Sequence, residues 1–92
     1  MSYTPHIKKR VSAAPKTLGN QLGRWAVHLG FSAIRISAAT GASRQTVYNW
    51  FGGGEVFVAY RPAVESLLKI LQTTSTAEEA WRKTCRSFNL AP

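Results

Sequence analysis

Apolar residues recur at helical spacing along most of the chain. In residues 18–29 they stand at i, i+4, i+7, i+8 and i+11, the pattern of a helix with one buried face. Thr17 is suited to cap the start of this helix, and Gly30 is suited to end it. The apolar positions of this face are Leu18, Leu22, Trp25, Ala26 and Leu29.

The same reasoning predicts a helix over residues 33–40, capped by Ser32, and another over residues 63–72. Pro62 is acceptable in the first turn of the second of these helices, where its missing N–H has no partner to lose. The buried face of that helix is Val64, Leu67, Leu68 and Leu71.

A last helix is predicted over residues 77–87. Its start is indicated by two residue pairs with capping-box spacing, Ser75 with Glu78 and Thr76 with Glu79. Its apolar face contains large aromatic residues that need a surface to cover. They either close the core, which we favour, or meet a second subunit. The members of this face are Ala77, Trp81, Thr84, Cys85 and Phe88.

Residues 36–50 contain two short helix-compatible runs separated by Gly41. Gly41 supplies the positive φ that lets the first run stop within one residue, and Ser43 can start the second by accepting from the N–H of Gln45 or Thr46. Two helices joined by so short a turn cross steeply, as in a helix-turn-helix. We expect inward-facing and small residues to fill the corner, namely Ile36, Ser37, Ala38, Val47 and Trp50.

Polar side chains occupy the outer face of the second run. Arg44 presents two donors that match O6 and N7 of guanine, whereas the carboxamides of Gln45 and Asn49 match N6 and N7 of adenine. Tyr48 is suited to a thymine methyl group or a phosphate. The predicted base-reading residues are therefore Arg44, Gln45, Tyr48 and Asn49.

This stretch resembles the helix-turn-helix of Cro and the phage repressors, the lambda-repressor-like or XRE-type DNA-binding proteins, over roughly residues 17 to 72. Two positions depart from the family pattern: Ser37 stands where alanine is usual, and Thr40 where an aliphatic residue is usual. The resemblance implies a repressor that reads the major groove as a homodimer on a near-palindromic operator. The residues that carry it are Ile36, Ser37, Gly41, Ser43, Arg44, Gln45, Thr46, Val47 and Trp50.

The predicted fold is all-α, a compact bundle of about five to six short helices of lambda-repressor-like type over residues 17–92. Residues 1–16 contain two prolines and a basic run without sustained periodicity, so we interpret them as a flexible basic arm. Such an arm either is a solvated tail or follows the phosphate backbone or minor groove. Gly52 to Gly54 stop the second of the two short helices, and residues 55–60 are expected to form an extended connection, rather than a two-stranded wing, whose apolar residues pack under that helix.

Charge is distributed unevenly along the chain. The net charge is +8, and the seven Lys/Arg residues before Glu55 are accompanied by no acid, whereas five basic and four acidic residues follow from Glu55 onward. This asymmetry points to a polyanion, either nucleic acid or an anionic membrane surface, although a basic charge can also serve solubility. The candidate contacts to a DNA backbone are Ser43, Thr46, Arg24, Arg35, Lys8, Lys9 and Arg10.

Other functional classes find little support in the sequence. His6 and His28 lack metal-ligand spacing, Cys85 has no motif beside it, and no nucleophile-elbow sequence is present. We therefore expect no enzyme activity, cofactor, metal or small-molecule ligand. Without an apolar run of membrane-spanning length or a signal peptide, we expect a cytoplasmic protein of a prokaryotic cell. The alternative function is a protein-interaction or assembly module, or a recombination accessory factor, on the same scaffold.

Overall fold

The computed structural model describes residues 3–91, and this part of the chain contains six helices and no strand. The predicted all-α class is confirmed, with the helix count at its upper limit. Within the same residues, no helix is long and apolar enough to cross a membrane. The helices are α1 (Pro5–Ala13), α2 (Leu18–Leu29), α3 (Ala33–Thr40), α4 (Arg44–Phe51), α5 (Arg61–Gln72) and α6 (Ala77–Ser87).

Five of these helices begin at a serine or threonine whose hydroxyl accepts a hydrogen bond from the N–H three residues later. Each such cap contributes about 1 kcal/mol by satisfying one of the free N–H groups of the first turn. Helix α5 has no side-chain cap and begins with a proline in its first turn. The capping residues are Thr4, Thr17, Ser32, Ser43 and Thr76.

Helix α1 corrects the prediction that residues 1–16 form a flexible arm. Thr4 caps this helix and Pro5 occupies its first turn, where the fixed φ of proline favours a helix. Ile7 and Val11, four residues apart, then face the core, and Val11 is buried. Only these two apolar residues mark the buried side of α1, and two positions are too few to reveal a helical periodicity. Residues 1 and 2 of the predicted arm lie outside the described residues.

Tyr3, which precedes α1, ties this end of the chain to the body of the protein. Its side chain is buried, its hydroxyl donates to the carbonyl of Phe31, and its ring meets Phe51 edge-on at 5.9 Å between centroids. Burial raises the pKa of the Tyr3 phenol, and the nearby Tyr48 raises it further. Tyr3 therefore remains a hydrogen-bond donor throughout the neutral pH range.

Helix α2 is the central element, and it packs against α1, α4 and α5. Gly19 and Gly23 allow α4 to approach it closely. A Cβ on Gly19 would lie 2.5 Å from the Cβ of Trp50, and one on Gly23 would lie 2.7 Å from Cγ of Phe51. Each glycine costs up to about 1 kcal/mol of helix propensity relative to alanine. That cost is offset by the contact between the two helices.

Helix α6 packs on α3 and α5 and closes the core. Trp81 and Phe88 are partly buried against the core, and the ring of Trp81 lies 6.2 Å from that of Phe31. Thr84 is fully buried, and its hydroxyl donates to the carbonyl of Ala80 at 2.7 Å. The large aromatic residues of α6 thus have an intramolecular partner, as in the favoured interpretation.

The predicted extended connection over residues 55–60 is only partly found, because residues 58–60 form a turn in which the N–H of Tyr60 donates to the carbonyl of Phe57 at 2.9 Å. Only part of the segment packs under α4. Val56 is buried, and the ring of Tyr60 meets that of Trp50 at 5.5 Å. Phe57 and Val58 instead project from the surface, with 67% and 79% of their areas exposed. The expectation that all apolar residues of this connection pack inward is therefore wrong for these two.

Candidate nucleic-acid interface

The turn between α3 and α4 is built by Gly41 and the hydroxyl groups around it. Gly41 has φ 80° and ψ 0°, in the left-handed region, and its N–H donates to the carbonyl of Ser37 at 2.9 Å. The Ser37 hydroxyl donates to the carbonyl of Ala42, and the Thr40 hydroxyl donates to the carbonyl of Ile36 at 2.8 Å. The two positions that depart from the phage-repressor pattern therefore support this turn by hydrogen bonds.

Helix α4 begins directly after the turn. The Ser43 hydroxyl accepts from the N–H of Thr46 at 3.2 Å, which selects one of the two capping partners that the sequence allowed. The hydroxyls of Ser43 and Thr46 lie 3.0 Å apart beside the free N–H groups of the first turn. This end of α4 has no acidic residue in its first turn, so its positive dipole end is available to an anion.

The inner and outer faces of α4 are clearly separated. Val47, Trp50 and Phe51 are buried. Arg44, Gln45 and Asn49 are exposed, as the sequence predicted. The exposed face spans almost two turns of the helix. The buried apolar residues Val47, Trp50 and Phe51 lie on the other side.

The two carboxamides on this outer face are in contact. The Nε2 of Gln45 donates to the Oδ1 of Asn49 at 3.4 Å, the i, i+4 relation of side chains on one side of a helix. Each carboxamide keeps further donors and acceptors that face outward. The pair therefore forms a continuous strip of hydrogen-bonding groups beside Arg44.

Tyr48 differs from the other three predicted base-reading residues because it is only partly exposed. Its ring packs edge-on against that of Phe51, at 5.8 Å and 87°. Tyr48 lines two neighbouring surface depressions, one together with Arg44 and the other together with Gln45. Tyr48 therefore both supports this face of α4 and remains accessible beside the other predicted base-reading residues.

Helix α1 lies beside α4 and adds its basic residues to the same surface. His6 and Arg10 line a shallow depression together with Gln45 and Tyr48. The guanidinium of Arg10 lies against the C-terminal end of α4, since a Cβ on Gly52 would be 2.7 Å from its Nη2. The predicted backbone contact Arg10 is thus held on a folded helix rather than on a flexible arm.

Lys8 and Lys9 are exposed on the same helix. His6 was not among the predicted site residues, because the segment was interpreted as an arm without fixed geometry. Thr4 followed by Pro5 is the sequence signal for the start of this helix. A helix that begins there places His6 and Arg10 four residues apart on one side of α1.

Asn20 holds α1 and α4 in their relative positions. Its side chain is fully buried in α2, and its Nδ2 donates to the carbonyl of Val11 at 2.9 Å and to the carbonyl of Phe51 at 2.7 Å. These two carbonyls belong to the last turns of α1 and α4, respectively. One buried amide therefore joins the ends of the two helices that form the candidate surface.

Arg24 does not take the predicted position of a free backbone contact. Its Nε donates to the Oδ1 of Asn20 at 2.7 Å and its Nη2 to the carbonyl of Ser12 at 3.1 Å. The guanidinium thus forms hydrogen bonds at the junction of α1 and α2. Its charge still adds to the positive potential, but its hydrogen bonds are directed at the protein.

Arg35 is likewise engaged within the protein. Its Nη1 lies 3.2 Å from the Oε1 of Glu78, and its Cζ lies 5.1 Å from the centre of the Trp81 ring. In this structure Arg35 therefore joins α3 to α6. That engagement argues against the predicted contact of Arg35 with a DNA backbone, which stays a prediction.

On the α1 and α4 side, the positive charge is not accompanied by any acidic residue of the same two helices. Among residues 3–91 the one ion pair is that of Arg35 with Glu78. Arg44 and Arg10 have no carboxylate within ion-pair distance in this part of the chain. In the same residues, no three His, Cys, Asp or Glu side chains gather as metal ligands. Helices α1 and α4 thus present exposed cations, carboxamides and hydroxyls without a competing acid.

Comparisons of the chain with protein-family models, curated proteins and solved structures find no match.

Proposed function

We propose that this chain is a sequence-specific double-stranded DNA-binding transcriptional regulator of the phage-repressor type. It binds a near-palindromic operator as a homodimer, and it acts as a repressor in the cytoplasm of a prokaryotic cell. The observation that carries the proposal is the outer face of α4, where Arg44, Gln45 and Asn49 are exposed together and no carboxylate of residues 3–91 pairs with the arginine.

The dimensions and chemistry of α4 suit the major groove. An α-helix with its side chains is about 10–12 Å across, and the major groove of B-DNA is about 12 Å wide. In that position Arg44 donates two hydrogen bonds to guanine, and the carboxamides of Gln45 and Asn49 recognise adenine. The bond between the two carboxamides restrains them before DNA arrives, which lowers the entropy lost on binding.

Contacts to the phosphates fix the position of α4 along the duplex. The first turn of α4 offers free N–H groups and the hydroxyls of Ser43 and Thr46. Helix α1 adds charges beside them, and because it is folded, these charges meet phosphates at fixed positions. The basic residues of α1 are Lys8, Lys9 and Arg10.

The proposal is tested by selecting bound sequences from random duplex DNA, then measuring affinity for the selected and a random duplex at one salt concentration. We expect a consensus with two-fold symmetry and a specificity ratio of about 1,000 or more. A ratio near one, or stronger binding to RNA or to an acidic protein, would instead support the alternative interaction module.

A further inference from the structure

The two histidines of the chain lie in different parts of the surface. His6 is exposed in the first turn of α1. His28 is exposed in the last turn of α2, where its ring meets that of Trp25 edge-on at 5.6 Å between centroids. Histidine is the side chain whose charge ordinarily changes between about pH 5 and 8. The pair therefore allows the contacts of two surfaces to be compared by varying the pH.

His6 shares a surface depression with residues of α1 and α4. Arg10, four residues later on α1, lines the same depression, as does Gln45, one of the predicted base-reading residues. Tyr48 forms part of its wall. The imidazole of His6 therefore lies directly beside the outer face of α4, on the flank that α1 adds to the candidate interface.

The charged groups around His6 are cations. Lys9 and Arg10 follow it on α1, and Tyr48 is the titratable side chain that α4 contributes to the depression. Arg44 lines the neighbouring depression together with Tyr48. In the described part of the chain no carboxylate lines either depression, and none lies within ion-pair distance of His6. The free protein thus offers the imidazolium form of His6 no anionic partner.

A phosphate of a duplex bound to α4 supplies such a partner, and this step rests on the proposed function. An imidazolium donates from both ring nitrogens, and its charge-assisted hydrogen bonds to a phosphate are stronger than those of the neutral ring. A duplex that prefers the charged ring draws a proton onto it. By linkage, a fall in pH that charges the ring then strengthens binding to the duplex.

We propose that His6 binds a backbone phosphate as its imidazolium, and that DNA binding by this protein is therefore coupled to the uptake of a proton. Arg10 beside it stays charged throughout this pH range, so the change in charge belongs to His6. Phosphate contacts position a protein on the duplex and carry no sequence information directly. The affinities for selected and for random duplexes should therefore rise alike as the pH falls.

The first test measures duplex affinity at constant salt between about pH 5.5 and 7.5. Wild-type binding should tighten about 5-fold towards the acidic end, the difference between a charged and a neutral hydrogen bond to phosphate. His6→Gln keeps a hydrogen-bonding side chain that cannot be charged, so its affinity should be equal at the two ends of the range. His6→Arg is charged throughout and should bind at the neutral end as tightly as the wild type binds at the acidic end.

His28→Gln is the matched control. It removes the other histidine, which lines a depression with Arg24 and Trp25 that no residue of α1 or α4 lines. The affinity of this variant should tighten at low pH as much as that of the wild type.

The second test separates a phosphate contact from an indirect effect of pH. A cation that neutralises one phosphate adds about 0.9 to the slope of log affinity against log salt. The wild-type slope should be steeper by about this amount at the acidic end of the range, and the slope of His6→Gln should not change with pH. A wild-type slope that is the same at both ends would overturn the contact.

The remaining outcomes distinguish this proposal from the proposed function. A pH dependence that persists in His6→Gln, or that disappears in His28→Gln, overturns the role of His6. If the wild-type protein selects no duplex sequence, the proposed regulator fails instead, and the pH dependence is still decided on random duplex. Equal thermal unfolding midpoints of the variants and the wild type at each pH confirm that all of them remain folded.

Discussion

Two sides of this small bundle carry opposite arrangements of charge. Helices α1 and α4 contain four Lys/Arg residues and no carboxylate, whereas α5 and α6 contain five Lys/Arg residues and three carboxylates. The number of cations is therefore almost equal on the two sides. What differs is whether acids accompany them, and the comparison teaches that the local net charge indicates a polyanion surface better than the count of basic residues does.

Arg35 and Arg44 show the same difference in two residues of one helix-turn-helix. The side chain of Arg35, on α3, packs against α6, beside Glu78 and over Trp81. Arg44 is exposed and has no carboxylate partner among residues 3–91. One arginine joins two helices of the fold, and the other is available to an external anion.

The largest expected effect concerns the attachment of α4 to α2. Gly19→Val should lower the free energy of unfolding by about 3 kcal/mol, because its side chain would overlap the backbone and Cβ of Trp50. Gln21→Val, at an exposed position of the same helix, is the control and should change stability little. Chemical unfolding measures both variants, and equal stabilities would contradict the close packing of α2 on α4.

The second prediction contrasts the two arginines directly. Arg44→Ala should weaken binding to the selected duplex by about 1–3 kcal/mol and relax specificity at one base pair. Arg35→Ala should leave DNA affinity unchanged, because its guanidinium is engaged with α6. Titration of both variants against selected and random duplexes provides the measurement. Equal losses in the two variants would show that the pairing of Arg35 does not remove it from the interface.

The third prediction concerns the buried amide that joins α1 and α4. Asn20→Leu has nearly the same volume but leaves the carbonyls of Val11 and Phe51 without a donor. We expect a loss of about 2 kcal/mol in the free energy of unfolding. Hydrogen exchange should accelerate in α1 and in the last turn of α4 more than in α5, since this amide bonds to α1 and α4 and not to α5. Uniform acceleration would argue against a specific link.

A smaller effect is expected from single charges on the two sides. Lys9→Ala on α1 should reduce the slope of log affinity against log salt by about 0.9 and weaken all duplex sequences alike. Lys69→Ala on α5 removes an equally exposed charge from the other side and should leave the slope unchanged. If both variants lower the slope equally, the duplex contacts both sides of the bundle, which would contradict a DNA-binding surface limited to α1 and α4.

The smallest effect should appear at high pH. Because burial raises the pKa of Tyr3, the folded state disfavours its phenolate. Its contribution to stability is therefore complete below the unfolded pKa of about 10 and is lost as the pH rises above that value. The difference in stability between wild type and Tyr3→Phe should be constant up to about pH 9 and then shrink. A difference that grows above pH 10 would contradict this sign.

Much of the fold could be predicted because its signals are local. Helices α2 and α3, for example, follow from apolar spacing and from the caps Thr17 and Ser32. The periodicity of apolar residues does not reveal helix α1, since only Ile7 and Val11 mark its buried side and much of its attachment comes from Asn20, nine residues from Val11. Such a hydrogen bond cannot be inferred from the spacing of apolar residues along the chain.

The candidate site could be predicted in part for the same reason. The outward orientation of Arg44 and Asn49 follows from helical geometry once α4 is placed. The engagement of Arg35 could not be predicted, because Glu78 is 43 residues away and meets it only through the packing of α6 on α3. The position of Arg10 beside α4 likewise depends on tertiary packing.

The most direct test of the account is cross-saturation from the selected duplex to the amide protons of the protein, observed by nuclear magnetic resonance. Only amides in contact with DNA lose signal in this experiment. We expect the losses in α1 and in the first two turns of α4, around Arg44, Gln45 and Asn49, with none on the exposed sides of α5 and α6. Losses confined to α5 and α6, or none on α4, would contradict the central claim.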